Sequence, residues 1–258
     1  MLLEVVGLSK RFGGLSAVSD VSFSIKAGEI VGIFGPNGSG KTTLLNLIAG
    51  ILAPSAGRIL WKAVEIQGKS PHAIAAAGVV KTFQNPQLFM ELSVCENVAI
   101  ATHLRLMRRF GASRLKELLP WQDSVRHAEV TNAIDRVVAL CRLGDMRDRQ
   151  AAGLSYGQEK MLGVAMAMMC DPQLLLLDEP ASGLGEEETR TLEEALRDLR
   201  NSGTTLCVID HKVDFLARVA DRTIALQQGS VIAEGVPAEV LRHPRVVEAY
   251  LGRQRARA

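Results

Sequence analysis

One stretch constrains this chain more than any other: Gly35-Pro36-Asn37-Gly38-Ser39-Gly40-Lys41-Thr42-Thr43. It follows Ile30-Val31-Gly32-Ile33-Phe34, an apolar run of the kind a strand buried on both faces requires. A helix-like stretch from Thr42 to Ala49 comes next. The pattern GxxxxGK[ST] at a strand-to-helix junction is a phosphate-binding loop. Its glycines let the backbone curl until successive N–H groups point inward as an anion nest. The helix N-terminus adds the positive end of its dipole. Lys41 is placed to contact β- and γ-phosphates, and the Thr42 hydroxyl to ligate Mg²⁺. The loop specifies a nucleotide binder and nothing narrower.

A second strand, Leu174-Leu175-Leu176-Leu177, delivers Asp178 and Glu179 at its C-terminal end, followed by Pro180. In open α/β sheets that edge is where ligands bind. Asp178 suits Mg²⁺, directly or through water. Glu179 suits a carboxylate that polarises the water attacking a γ-phosphate. Val21–Ile25 alternates like a half-buried strand, and Thr204–Ile209 is another buried-strand candidate, separated from the acidic strand by a charged helix over 186–200. Gln228-Gly229 marks a hairpin turn. Such alternation implies a largely parallel α/β sheet.

The middle of the chain reads differently. Ser93-Val94-Cys95-Glu96 fits a capping box opening a helix to about Leu106. Helix-like text then continues to about Ala167, broken near Gly111, Pro120 and 144–153. The expected division is a discontinuous α/β core over 1–87 and 166–240, a helical insert over 88–165, and a C-terminal helix with a basic tail over 241–258. The formal net charge of +2 is too near balance to argue for nucleic acid or an anionic membrane surface as partner. Arg253, Arg255 and Arg257 read as a solvated end. The first residues lack the basic and apolar regions of a signal peptide. Charges interrupt every apolar run before the roughly 20 residues a membrane span needs. Four dispersed cysteines form no CxxC pair, which fits a reducing cytosol rather than disulfides or zinc.

Between the two acid- and phosphate-bearing segments lies Leu154-Ser155-Tyr156-Gly157-Gln158, with Ser155 as a natural N-cap and Gly157 leaving room for a phosphate. In this order the three segments resemble the ABC ATPase family. The resemblance implies a P-loop NTPase (RecA-like) α/β core with an antiparallel β region and an inserted α-helical subdomain. It implies ATP and Mg²⁺ as cofactors, and a dimer in which Leu154–Gln158 closes over ATP held by the other subunit. By the same resemblance Gln84 is the glutamine that senses Mg²⁺ and the attacking water, and His211 contacts the γ-phosphate. Phe12 matches the aromatic that stacks on adenine, core packing being its other reading. The implied partners are a second ATPase subunit, two membrane permeases and, indirectly, a solute-binding protein. The implied place is the cytoplasmic face of the cell membrane.

Thr82–Phe89, Ser93–Val98, the insert around 103–127 and Pro244–Gly252 narrow the resemblance to the larger ATPase subunit of branched-chain amino acid importers. Urea and short-amide importers share much of the pattern. The segment from Gln84 to Val98, with Leu88, Phe89 and Met90, is expected to dock on a permease. Two positions depart from the family: Gly185 stands where Asp or Asn is usual, and Met166 where Arg is usual. Gly185 weakens the partner's site unless the backbone or a neighbour such as Glu186 substitutes. A soluble ABC ATPase acting on ribosomes or DNA usually carries two cassettes or long coiled coils, and neither is visible here. A P-loop kinase or GTPase leaves LSYGQ and His211 as coincidences.

Overall fold

The computed structural model describes the backbone of residues 1–110 and 124–255, and the side chains of residues 1–102 and 128–250. The expected breaks near Gly111 and Pro120, and the side chains of 103–127 and of Arg253, Arg255 and Arg257, lie outside the described residues.

Two sheets organise the chain. Strands β1 (Leu3–Phe12), β2 (Leu15–Ile25), β4 (Ala56–Trp61) and β5 (Val64–Glu65) form an antiparallel sheet in the order β2-β1-β4-β5. Strands β3 (Ile30–Phe34), β6 (Val79–Lys81), β7 (Leu174–Asp178), β8 (Thr205–Ile209), β9 (Arg222–Gln227) and β10 (Ser230–Gly235) form the second, ordered β10-β9-β3-β8-β7-β6. Its strands run parallel except β10, which returns antiparallel on β9 through Gln228 and Gly229. Both turn residues have positive φ, 47° and 80°, the requirement of a tight hairpin turn matched to strand twist.

The apolar runs of the sequence acquire their reason here. Alternate side chains of a strand face opposite ways, and each face of the parallel sheet is covered. Val31, Ile33, Leu174, Leu176, Cys207, Ile209, Ile224 and Leu226 point into the core shared with the antiparallel sheet and helix α1 (Lys41–Ile48). Ile30, Phe34, Leu175, Leu177, Leu206 and Val208 point into the core shared with the helices. The latter include α3 (Val94–Phe110), α4 (Ser124–Leu140), α5 (Tyr156–Met168), α6 (Glu186–Asn201) and α7 (Val213–Val219). Gly32 lies on that face too, and a Cβ there would stand 3.2 Å from the Ala220 Cβ and 3.4 Å from a Leu216 methyl, so the helix covers the strand closely.

Helix α6 buries Leu192, Ala195, Leu196 and Leu199 as an apolar stripe at helical spacing, with Thr189 and Glu193 buried beside it. Glu186, Glu187 and Glu188 in its first turn and Arg200 in its last complement the dipole. Helix α3 begins as the sequence suggests: Ser93 N donates to Glu96 Oε2 at 2.7 Å, and Glu96 N donates to Ser93 Oγ at 3.2 Å. It runs to Phe110, past the expected end near Leu106. Buried Asn97 holds the preceding loop, donating to the carbonyls of Phe89, Leu92 and Ser93 and accepting from Phe89 N. Helix α5 crosses the expected 165/166 junction without a break. Short elements α2 (Pro71–Ala77), α8 (Pro237–Arg242) and α9 (Pro244–Arg255) complete the chain.

Cys141, Cys170 and Cys207 are buried and Cys95 is partly buried, and none of them is in a disulfide among the described residues. Burial pushes the Cys141 and Cys207 thiols up to about 12, so both stay protonated and inert. No helix among the described residues is long and apolar enough to cross a membrane.

Leu177, with no exposed surface, packs on the helical side of the parallel sheet. Leu177→Ala is expected to lower the unfolding free energy in urea by about 2–5 kcal/mol. Val64→Ala, on a strand-edge residue 57% exposed, is expected to change it by less than about 0.5 kcal/mol.

Candidate nucleotide site

The phosphate loop is held by backbone contacts that admit no side chains. A Cβ on Gly35 would stand 2.1 Å from the Leu226 carbonyl oxygen, and one on Gly40 would stand 2.2 Å from that of Ala17. Gly40 also has φ 98°, the left-handed conformation that lets the chain turn into α1. Ser39 N donates to Pro36 O at 3.1 Å, and Gly229 N donates to Ser39 O at 3.0 Å. The β9–β10 turn thus braces the loop from outside. The Ser39 hydroxyl is buried with no hydrogen-bond partner among the described residues. Lys41 folds back over the loop, donating to Gly35 O at 2.8 Å and Pro36 O at 3.1 Å. Asn37 and Gly38 stand exposed at the rim.

The acidic strand ends directly opposite. The Thr42 hydroxyl donates to Asp178 Oδ1 at 3.4 Å. The other carboxylate oxygen, Asp178 Oδ2, is 3.0 Å from the ammonium of Lys81, and both side chains are under 10% exposed. Glu179 follows with φ 51°, a left-handed conformation unusual for a residue with a side chain. Its N–H donates to Ile209 O at 2.8 Å, which hooks the acidic strand to the end of β8. Its carboxylate accepts from Gln84 Nε2 at 3.0 Å and lies 3.9 Å from His211 Nδ1. His211 in turn is 3.6 Å from the fully buried Asp210. Asp210 accepts hydrogen bonds from Ala181 N and Lys212 N, both at 2.9 Å.

Phe12, Asn37, Gly38, Gly40, Lys41, Thr42, Thr43, Glu179 and His211 line one cleft of about 630 Å³, whereas Lys81, Gln84 and Asp178 line a separate groove of about 590 Å³. Phe12 is 45% exposed with Lys10 Nζ 5.1 Å from its ring centroid. It therefore faces the cleft and is not core packing.

Leu154, Ser155, Tyr156, Gly157 and Gln158 do not line this cleft. Ser155 caps α5 in a reciprocal box with Gln158, donating and accepting as the spacing requires. Gly157 is buried, and a Cβ there would stand 2.6 Å from Glu188 Oε1, so the position admits no side chain. Glu188 Oε1 also accepts from the Ser155 hydroxyl at 3.1 Å, while Oε2 accepts from Gly185 N at 3.3 Å. The neighbour that reaches Gly185 is Glu188, because the third helical position is the one that reaches back to an N-cap.

Sequence reasoning missed four charged groups: Lys81, Lys160, Glu188 and Asp210. Lys160 is 7% exposed and donates to the carbonyls of Glu179, Pro180 and Ser182 at 2.9, 3.4 and 2.7 Å. Burial pulls its ammonium below the usual lysine range, with Asp210 and Glu179 opposing. Asp210 and Lys81 carried one signal, a charge at the end of an apolar strand. Lys160 carried none, since a lysine early in a helix is ordinarily solvated.

This arrangement, a phosphate loop, an acidic strand end and a capped helix bearing LSYGQ, defines a nucleotide-hydrolysing cassette. Residues 18–182 match the ABC transporter family, and residues 230–256 match the branched-chain amino acid ATP-binding cassette transporter family. LivG of Salmonella typhimurium, a high-affinity branched-chain amino acid transport ATP-binding protein, is 40% identical over 97% of this chain and 98% of its own length. BraF of Pseudomonas aeruginosa, of the same description, is 38% identical over 97% and 98%. The ADP conformation of MJ1267, an ATP-binding cassette of an ABC transporter, superposes with TM-score 0.82 at 31% identity, covering 97% of this chain and 98% of that one. The chain belongs to the ABC transporter ATPases, in the group of branched-chain amino acid transport ATP-binding proteins.

Breaking the buried Lys81–Asp178 pair leaves an uncompensated carboxylate. Lys81→Met is expected to cost about 3–5 kcal/mol and to lower the thermal midpoint of the nucleotide-free chain by roughly 10 °C. Lys81→Arg is expected to retain most of that stability in the same melting experiment.

Proposed function

We propose that this chain binds and hydrolyses ATP to power import of branched-chain amino acids. In this reading two ATPase subunits, this chain and a paralogue, pair on two permeases at the cytoplasmic face of the membrane. A solute-binding protein on the other side presents the solute. One observation carries the hydrolytic reading: Lys41, Thr42, Glu179 and His211 line one cleft with an exposed aromatic at its mouth. The relatives' substrate and the match over residues 230–256 support branched-chain amino acids over urea or short amides.

The residues also fit Mg²⁺. Thr42 and Asp178 present hard oxygen donors 3.4 Å apart, few enough to leave room for water and phosphate, as Mg²⁺ prefers. Mg²⁺ bound there supplies positive charge to the transferring phosphoryl group. Phe12 stacks the adenine, and the N–H groups of 35–43 with Lys41 cradle the phosphates. Glu179 orients and polarises the attacking water. Gln84, already hydrogen-bonded to Glu179, fixes where that carboxylate points. His211 donates toward the γ-phosphate, its ring placed beside Asp210. Residues 154–158 complete the site on the partner's ATP.

The helical segment over 88–165 is proposed as the subdomain that moves when the dimer closes. A groove of about 590 Å³ separates it from the core, lined in part by Pro71, Phe83, Pro86, Gly163, Met166 and Ala167. Phe83 lines it and is exposed, Phe89 and Met90 are exposed further along the chain, and Leu88 is partly buried against the core. Met166, where the family usually has Arg, turns this groove apolar, which suits an apolar permease helix.

In the assembled transporter Glu179→Gln is expected to keep ATP binding and to slow hydrolysis on this chain's loop by about 10³-fold or more. Hydrolysis near the wild-type rate, with the partner's own catalytic carboxylate disabled, would show that Glu179 is not the base. Phe89→Asp is expected to abolish leucine uptake into proteoliposomes while leaving the affinity for a fluorescent ATP analogue unchanged. Undiminished uptake would place the permease contact elsewhere.

A further inference from the structure

Lys160 follows the LSYGQ segment on α5, and neither phosphate binding nor helix formation needs it there. Its side chain is almost wholly buried. An ammonium has three donors, and this one makes three hydrogen bonds, all to main-chain carbonyls of residues 179, 180 and 182. A buried charge is tolerated only when hydrogen-bonded in this way.

The backbone it grips is the one that carries the reactive carboxylate. Glu179 sits at φ 51°, and such a conformation in a residue with a side chain persists only where its surroundings enforce it. Two contacts do so: the Glu179 N–H is held by Ile209 O at 2.8 Å, and its carbonyl by Lys160 Nζ at 2.9 Å. The same few residues touch the signature segment elsewhere. A Cβ on Gly183 would stand 2.9 Å from the Tyr156 ring, and Glu188 bridges Gly185 to Ser155. Signature helix and the loop after the acidic strand are thus packed as one body, with Lys160 as its buried bolt.

We propose that Lys160 is a positioning residue that holds the Glu179 peptide in its left-handed conformation and links the two ATP sites of the dimer. Residues 154–158 feel the partner's ATP, and Glu179 acts on this chain's own. Lys160 lies less than two helical turns from Ser155 on the rigid α5, and its ammonium ends on the Glu179 carbonyl. A displacement of the helix start by the partner's γ-phosphate is thereby delivered to the carboxylate that orients water in the other site. The inference rests on the composite-site reading given under Proposed function.

The test uses the assembled transporter with the partner's catalytic carboxylate disabled, so that only ATP on this chain's loop turns over. Lys160→Met is expected to lower kcat about tenfold or more with KM for ATP changed by less than about twofold, as misplacement without loss of binding requires. Lys160→Arg reaches the same carbonyls and is expected to recover most of kcat. Ser155→Ala, which removes the N-cap hydroxyl of α5 and its bond to Glu188 together with the contact to the partner's ATP, is expected to lower this chain's kcat in the Lys160 protein. In the Lys160→Met background it should add less than about twofold, the non-additivity of a shared pathway. Should Lys160→Met lose binding of a fluorescent ATP analogue through misfolding, Lys160→Gln takes its place in the same cycle. Wild-type kcat in the neutral variant, an arginine no better than methionine, or fully multiplicative effects of Ser155 and Lys160 would each overturn the proposal. The composite-site reading fails separately: Ser155→Ala would then leave the partner's own hydrolysis, measured with Glu179 disabled, untouched.

Discussion

Backbone packed against backbone around residues 35–40 is the constraint on which the rest of the site depends. Gly35 lies against the Leu226 carbonyl and Gly40 against that of Ala17, at separations no side chain would permit. Those carbonyls come from different sheets, β9 in one and β2 in the other. The loop is therefore fixed only when both sheets and α1 between them are in place. Anion binding by inward N–H groups depends on such rigidity, because a loop that relaxed around phosphate would lose the energy of ordering itself. The apolar core on both faces of β3 is what makes the phosphate loop a preformed nest.

A second layer of order comes from buried charge. Asp178 is shared between Thr42 and Lys81, Asp210 between two backbone N–H groups, and Lys160 among three carbonyls. Each is costly to bury and each is satisfied, so each fixes geometry more than it adds stability. Together they tie the ends of β6, β7 and β8 into one edge. Glu179 sits on that edge, and its strained backbone is affordable because neighbours on both sides hold it. Exposed groups such as Phe12, Gln84 and His211 then need only local freedom to meet a nucleotide.

Much of this was legible in the residues. The strands β3, β7 and β8 announce themselves as unbroken apolar runs, since burial on two faces leaves no polar alternation. The capping boxes at Ser93 and Ser155 and the Gln228-Gly229 turn depend on three or four adjacent residues and were readable for that reason. Strand β1 was not singled out: it mixes Lys10 and Arg11 with apolar residues, and its partners β2 and β4 are brought to it by the fold. Short elements such as β6 and α7 likewise draw their stability from tertiary packing. In the site, loop and acid were legible because their chemistry is concentrated in contiguous residues. Lys81, Lys160 and Glu188 were not, because each acts on a group far along the chain: Asp178, the Glu179 carbonyl and Ser155.

The central claim is that one chain supplies the phosphate loop and acid for its own ATP, while its LSYGQ segment serves another subunit's. Amide hydrogen exchange followed with ATP, on the isolated monomeric chain and on the assembled complex, tests this most directly. The N–H groups of residues 35–43 are expected to slow in both. Those of residues 154–158 are expected to slow only in the complex, where a partner's nucleotide reaches them. Slowing of 154–158 by ATP in the isolated monomer would contradict the account.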